Sequence, residues 1–206
     1  EAILSGEVEN LPSWLAEAAR EAKEVLDTTR DPQLCDIVLD RWCYRDMDDV
    51  AEATGSAFLH GYVQAQIDAA NLRSLIRTLR MGKGPEFLQG VLFSGGTVSE
   101  DEVLSVSAGG GAGLADVYGA TRFRAAAESG AEALKGGGLT EFEKLCDDAV
   151  GDYLAGAQFV PFGEAPLLGY LAARETEYTN LRILLLGRST GLPADVIRSR
   201  LRKSYV

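Results

Sequence analysis

One long apolar segment occurs twice in this sequence, and the second copy is Gly169-Tyr-Leu-Ala-Ala-Arg-Glu-Thr-Glu-Tyr-Thr-Asn-Leu-Arg-Ile-Leu-Leu-Leu-Gly187. The first copy is Gly61-Tyr-Val-Gln-Ala-Gln-Ile-Asp-Ala-Ala-Asn-Leu-Arg-Ser-Leu-Ile-Arg77. Asn71 aligns with Asn180 at an offset of 109 residues, and each asparagine is followed by Leu-Arg. This period is longer than that of a short solenoid repeat, so it indicates a duplicated helical module.

Both copies have the apolar spacing of a long helix, with hydrophobic residues three or four positions apart. We predict central helices over about 56–80 and about 163–187, one in each of two modules that span residues 1–96 and 97–206. Asp68 aligns with Glu177, and both acids lean toward the apolar face. A carboxylate there is costly unless a donor meets it, so each acid is either a paired structural group or a proton or metal site. No second acid or histidine clusters beside either position, which favours the structural interpretation.

The remaining segments also predict helices and no strand, so the expected fold class is all-α. Asp31-Pro32 has the residues of a helix N-cap and first turn. Ser99 with Glu102, and Thr140 with Glu143, have the spacing of capping boxes at the starts of two further helices.

Composition limits the classes of function. The chain has 206 residues, of which 46% are hydrophobic, which is enough for one large domain or two domains of about 100 residues. Its net charge of −11 argues against a general nucleic-acid binder. Residues 1–55 hold 14 acids and 5 bases, whereas the end of the chain is basic. Such asymmetry suits docking between charged partners.

The cysteines and the histidine predict no metal site. Cys35, Cys43 and Cys146 lack metal-ligand spacing and are typical of small core residues in a reducing compartment. His60 has no neighbouring cysteine or second histidine. We find no signal peptide and no apolar run of ~18 residues, so we expect no membrane span. The chain begins at Glu1 rather than Met, which we interpret as a fragment or a processed product.

Catalytic patterns are incomplete throughout the sequence. The acids that come nearest to the Mg²⁺-binding array of helical isoprenoid synthases are Asp46, Asp48 and Asp49, and then Asp147, Asp148 and Asp152. Neither set reproduces Asp-Asp-x-x-Asp, because the extra residue in the second set turns its third acid about 100° away. The glycine run at 109–113 lacks the Lys-Ser/Thr of a phosphate-binding loop. We therefore predict no catalytic, cofactor-binding or metal residues and a structural or docking protein.

The order of several motifs resembles one known family, the C subunit of the V-type (archaeal and bacterial A-type) ATP synthase, related to the eukaryotic V-ATPase d subunit. The resemblance covers nearly the whole chain, while about a third of the family's length is missing at the N-terminus. The motifs that carry it are Asp36-Ile-Val-Leu-Asp40, Gly55-Ser-x-Phe58-Leu59, Ile67-Asp68-x-x-Asn71-Leu72-Arg73, Glu164-Ala-Pro166, Glu175-x-Glu177-x-x-Asn180-Leu-Arg182 and Gly191-Leu-Pro-Ala-Asp-Val-Ile-Arg198.

This resemblance implies an all-helical funnel of three modules, of which the chain would hold two. It implies a non-catalytic rotor subunit of the central stalk, peripheral on the cytoplasmic side of the membrane. Its partners would be the shaft subunits D and F and the membrane proteolipid ring, without nucleotide, nucleic acid or cofactor. The resemblance gives Asp68, Asn71, Glu177 and Asn180 a structural role in fixing the central helices, so that Asp68→Leu or Glu177→Leu would lower stability or assembly.

Two other functions stay open at the level of the sequence. The first is a free-standing cytosolic helical adaptor with no rotary partner. The second is a Mg²⁺-dependent enzyme of the helical isoprenoid type.

Overall fold

The structure, a computed structural model, describes residues 11–204 and contains no strand in that range, which confirms the all-α fold class. Ten α-helices and one 3₁₀ helix lie between these limits. They are α1 Ser13–Thr29, α2 Pro32–Thr54, α3 Ala57–Arg80, α4 Pro85–Gln89, α5 Glu100–Ala108, α6 Leu114–Tyr118, α7 Arg124–Leu134, α8 Thr140–Ala155, the 3₁₀ helix Gly156–Phe159, α9 Glu164–Ser189 and α10 Ala194–Arg200.

Local capping chemistry sets several helix boundaries. The Asp31 carboxylate accepts the Gln33 N–H at 2.9 Å at the start of α2, as the sequence predicts. Ser99 and Glu102 form the predicted capping box, in which the Ser99 N–H donates to the Glu102 carboxylate at 3.0 Å. Gly55 ends α2 with φ +67°, a conformation that favours glycine.

The second predicted capping box is wrong. Helix α8 begins at Thr140, its N-cap position is Leu139, and no side chain caps it. The carboxylate of Glu143 instead accepts from the guanidinium groups of Arg73 and Arg77 on α3. Hydrogen bonds between two ionised groups are stronger than a bond to a neutral N–H, which explains why Glu143 faces α3 rather than its own helix end.

The two predicted central helices are α3 and α9, each displaced by no more than two residues from the expected bounds. The same order of elements surrounds both: the helix pair α1–α2 precedes α3 and α4 follows it, as α7–α8 precedes α9 and α10 follows it. Each short following helix begins beside a proline, Pro85 or Pro193. The boundary between modules at residues 96 and 97 stays a proposal, because one hydrophobic core extends across it.

Helix α3 lies at the centre of that core. Its residues Leu72, Leu75 and Ile76 are fully buried, and they belong to one cluster with Phe142 and Cys146 of α8. Burial raises the pKa of the Cys146 thiol to about 12, so this cysteine is a neutral packing residue. α3 is therefore buried by α7 and α8, which follow the proposed boundary at residues 96 and 97.

A close contact at the start of α3 fixes how α8 approaches. The rings of Phe58 and Tyr153 are stacked with centroids 5.2 Å apart, and the Tyr153 hydroxyl donates to the Phe58 carbonyl at 2.8 Å. Gly61 makes room for this ring, because a Cβ there would lie 2.4 Å from the Tyr153 hydroxyl oxygen. In α8, by contrast, a Cβ at Gly151 would meet nothing within 4 Å.

These two helix-interior glycines provide a matched test of the contact. We expect Gly61→Ala to lower the free energy of unfolding by about 1–2 kcal/mol, because the added methyl group displaces Tyr153. We expect Gly151→Ala to raise it by about 0.5–1 kcal/mol through the higher helix propensity of alanine. Urea unfolding monitored by circular dichroism measures both, and a stabilising Gly61→Ala would contradict the packing described.

Candidate functional site

An asparagine in the middle of α3 holds the chain that returns after α4. The Asn71 side-chain amide donates to the Phe93 carbonyl at 2.8 Å, and its carbonyl oxygen accepts the Phe93 N–H at 2.9 Å. Asn71 is buried, so both backbone groups of Phe93 depend on this one side chain.

The same arrangement recurs on α9. Asn180 donates to the Arg202 carbonyl at 3.0 Å and accepts the Arg202 N–H at 2.8 Å. Phe93 and Arg202 are 109 residues apart, the offset that aligns Asn71 with Asn180. Asn71 thus holds the segment after α4 against α3, and Asn180 holds the segment after α10 against α9.

Asp68 is a buried acceptor for the loop between the modules. It is 1% exposed, its Oδ1 accepts the Val98 N–H at 3.1 Å, and the Thr97 hydroxyl donates to its other oxygen. Gly96 passes so close that a Cβ there would lie 2.3 Å from Asp68 Oδ1. The donors that a buried carboxylate needs are therefore supplied by one backbone N–H and one hydroxyl.

Glu177, the residue that aligns with Asp68, does not make these contacts. Its side chain is 52% exposed and pairs with Arg174 one turn earlier on the same helix. The position that aligns with Thr97 at the offset of 109 residues is 206, which lies outside the described residues. Of the four residues predicted to fix the central helices, the structure thus places Asp68, Asn71 and Asn180 against other segments and leaves Glu177 on the surface.

An ion network joins the two modules beside the buried core. Arg73 of α3 donates through Nε to Glu143 at 2.9 Å and also pairs with Asp147. The other oxygen of Asp147 accepts from Arg202 Nε at 2.6 Å. Because Arg202 is the residue held by Asn180, this network connects the first central helix to the end of the second module. Sequence reasoning noted the Asn-Leu-Arg pattern but found no partner for its arginine.

Four of the six acids considered for Mg²⁺ binding, Asp48, Asp147, Asp148 and Asp152, contact basic residues. Lys203 donates through its backbone N–H to Asp148 at 2.8 Å and through Nζ to Asp152 at 2.6 Å, and the bond to Asp152 raises the pKa of Lys203. Asp48 lies 3.5 Å from His60. Within residues 11–204 no three His, Cys, Asp or Glu side chains come together in a group that could hold a metal ion.

One face of α9 is strongly apolar and exposed. Tyr178, Leu181 and Leu185 are 63%, 46% and 70% exposed, although they lie on one side of the helix at spacings of three and four residues. We use the term open face for the exposed residues Leu167, Tyr170, Leu171, Tyr178, Leu181, Leu184 and Leu185.

The aligned residues of α3 are buried where those of α9 are exposed. Leu181 and Leu185 align with Leu72 and Ile76 of α3, which are fully buried under α7 and α8. The sequence spacing predicted an apolar face on both helices, but it could not show that only the first is covered. Large exposed apolar patches are uncommon on monomeric soluble proteins.

Two equivalent central helices with the same asparagine contact define an all-α protein built from a helical repeat. The chain matches the family described as ATP synthase (C/AC39) subunit over residues 1–200, and it belongs to that family. The resemblance seen in the sequence is thereby confirmed.

Two relatives show how much of the family's length is present. The C subunit of the V-type sodium ATPase of Enterococcus hirae is 27% identical over 201 residues, which cover 95% of this chain and 59% of that protein. The C subunit of the A-type ATP synthase of Haloferax volcanii is 28% identical over 168 residues, which cover 79% of this chain and 47% of that protein. The chain thus spans about half the length of the relatives it matches. Both are named as subunits, in agreement with the prediction of a subunit without catalytic residues of its own.

No helix in the described part of the chain combines the length and the hydropathy that a membrane span requires.

Substitution of the aligned acids Asp68 and Glu177 tests whether the two residues stabilise the fold to different extents. We expect Asp68→Leu to lower the free energy of unfolding by about 2–4 kcal/mol, because the Val98 N–H and the Thr97 hydroxyl lose their acceptor. Glu177→Leu removes only an exposed pair, so we expect a change within about 0.5 kcal/mol. Urea unfolding at low protein concentration measures both. Equal losses in the two variants would show that Glu177 has a structural contact that this structure lacks.

Proposed function

We propose that this chain is a non-catalytic rotor subunit of a V-type or A-type ATPase, which couples the central shaft to the membrane proteolipid ring. Family membership over residues 1–200 is the observation that carries the proposal. The partners are the shaft subunits D and F on one side and the ring on the other. The subunit acts on the cytoplasmic side of the membrane, as a peripheral part of the complex.

The contacts between the modules fit a part that transmits torque. A coupling piece must resist twisting, and packed interiors are stiff because they are as dense as molecular crystals. The shared core around α3 provides this stiffness. The ion network of Arg73, Glu143, Asp147 and Arg202 adds directional contacts at the edge of the core.

The starts of the two central helices are also tied together. Ser56, the N-cap residue of α3, donates from its hydroxyl to Glu164 in the first turn of α9. This hydrogen bond lowers the pKa of Glu164. The bond links the first turn of α9 to the N-cap of α3.

A free-standing helical adaptor is the second candidate, and the open face of α9 is the observation that favours it. An adaptor needs an accessible apolar surface, and the open face of α9 provides one. The two functions differ in whether the chain recognises the rotary shaft.

Binding to the shaft tests the proposed function. We expect the chain to co-elute from a size-exclusion column with a purified complex of subunits D and F at a one-to-one ratio. An acidic first module suggests that charge contributes, so we expect the complex to weaken as salt is raised.

A variant that removes ion pairs between α3 and α8 tests whether shaft binding depends on this contact. We expect Arg73→Ala to reduce the amount of complex, because Glu143 and Asp147 lose their shared cation, whereas Arg124→Ala removes only an exposed pair with Glu128 and leaves binding unchanged. Separate elution of the wild-type chain and the shaft at low salt would contradict the proposal and favour the adaptor.

A further inference from the structure

A histidine and an aspartate face each other across the contact between α2 and α3. Nδ1 of His60, in the first turn of α3, lies 3.5 Å from Oδ1 of Asp48, in the last two turns of α2. Both atoms are shielded from solvent, and neither has a hydrogen-bond partner among residues 11–204. A buried polar atom without a partner is costly, so the protonation of His60 bears directly on the stability of this contact.

An apolar cluster lies beside the pair. It is formed between α2, α3 and Phe93, and its partly buried members include Met47 and Leu59, the residues directly before Asp48 and His60. At the edge of such a cluster the attraction between opposite charges is stronger than in bulk water. The side chains of His60 and Asp48 are nonetheless 39% and 28% exposed, so water weakens the attraction and its effect on stability is modest.

The Asp48 carboxylate also borders the chain that leads from α4 to α5. A Cβ at Gly95 would lie 3.2 Å from Asp48 Oδ2. Gly95 has φ +102°, a conformation that favours glycine, so the chain bends beside this carboxylate without a side chain of its own. Asp48 therefore lies between the start of α3 and the connection to α5.

The position of His60 in its helix explains why the carboxylate matters. The first turn of a helix carries partial positive charge, which disfavours a cation there, and Asp48 supplies a negative charge from the neighbouring helix. A neutral imidazole donates from Nδ1 in only one of its two tautomers. A protonated imidazole donates from both nitrogens and is also attracted to the carboxylate by its charge.

Among residues 11–204, Asp48 is the acid that forms a close pair with His60. Other ionisable side chains surround the start of α3, and several have partners of their own. Glu164 accepts from Ser56, and the Tyr153 hydroxyl donates to the Phe58 carbonyl. These surrounding side chains are Asp49 and Glu52 of α2, Glu100 of α5, Arg122 before α7, Tyr153 of α8 and Glu164 of α9.

His60 is the one histidine of the 206-residue sequence. The position that aligns with it in the second module, at the offset of 109 residues, is Gly169, so the pair is not repeated there. Histidine is the side chain that ordinarily changes charge between about pH 5 and 8. A change of stability in this pH range that depends on Asp48 is therefore assignable to His60.

We propose that His60 and Asp48 form a pH-sensitive contact, which holds α2 and α3 together more firmly when His60 is protonated. Asp48 favours the protonated imidazole in the folded chain. The added stability is therefore present at acidic pH and is lost as the imidazole gives up its proton with rising pH. This inference goes beyond the proposed function and does not rest on it, because the chain alone is measured.

A double-mutant cycle at two pH values tests the contact. His60→Asn keeps a polar group near the position of Nδ1 without a charge, and Asp48→Asn removes the acid. The interaction between the two positions is the part of the stability that the single variants do not account for. We expect it to change the equilibrium constant of unfolding about two- to fivefold more at pH 5.5 than at pH 8, as for a partly exposed ion pair. Urea unfolding followed by circular dichroism measures the four proteins.

Asp49→Asn is the matched control. It makes the same change on the next residue of α2, which is exposed and forms no ion pair in the described part of the chain. Combined with His60→Asn, it should show no interaction that depends on pH. An interaction between His60 and Asp48 of the same size at both pH values would overturn the proposal, and so would an equal dependence on pH for Asp49. Because the pair is partly exposed, we expect every variant to keep the helical circular dichroism spectrum of the wild type at both pH values.

Discussion

The burial of α3 under helices of the second module is the interaction on which the rest of the structure depends. Leu72, Leu75 and Ile76 are fully buried there, and burying each such side chain stabilises the fold by about 1.5–3 kcal/mol. The polar contacts are arranged around this core. Asn71 and Asp68 fix the chain that leads from one module to the next, and Arg73 pairs with α8 at its edge.

The repeat allows α3 and α9 to be compared position by position. Asn180 makes on α9 the contact that Asn71 makes on α3, so the two helices are equivalent inside their own modules. They differ in what lies outside, since Leu185 is 70% exposed where Ile76 is buried. Aligned positions of α3 and α9 are thus apolar in both repeats and differ in burial.

The sequence predicts most of what depends on local chemistry and little of what depends on distant partners. Helix periodicity and capping residues located α3, α9 and the start of α2, because these signals lie within a few residues of each other. The Thr140 capping box failed because Glu143 is taken by arginines some seventy residues earlier in the chain. Glu177 has the same sequence pattern around it as Asp68 and is nonetheless exposed, where it pairs with Arg174 of its own helix. Asp68 and Glu177 therefore differ in their tertiary contacts and not in their local sequence pattern.

Hydrogen exchange measured by mass spectrometry at low protein concentration tests most directly whether α3 is covered and α9 is open. Amides in α3 around Leu72 should exchange only through global unfolding, because this part of the helix is packed inside the core. Amides in α9 around Leu181 should exchange much faster, through local opening on the exposed side. Equal protection of the two central helices would contradict the account, because it would mean that α9 is covered within a single chain.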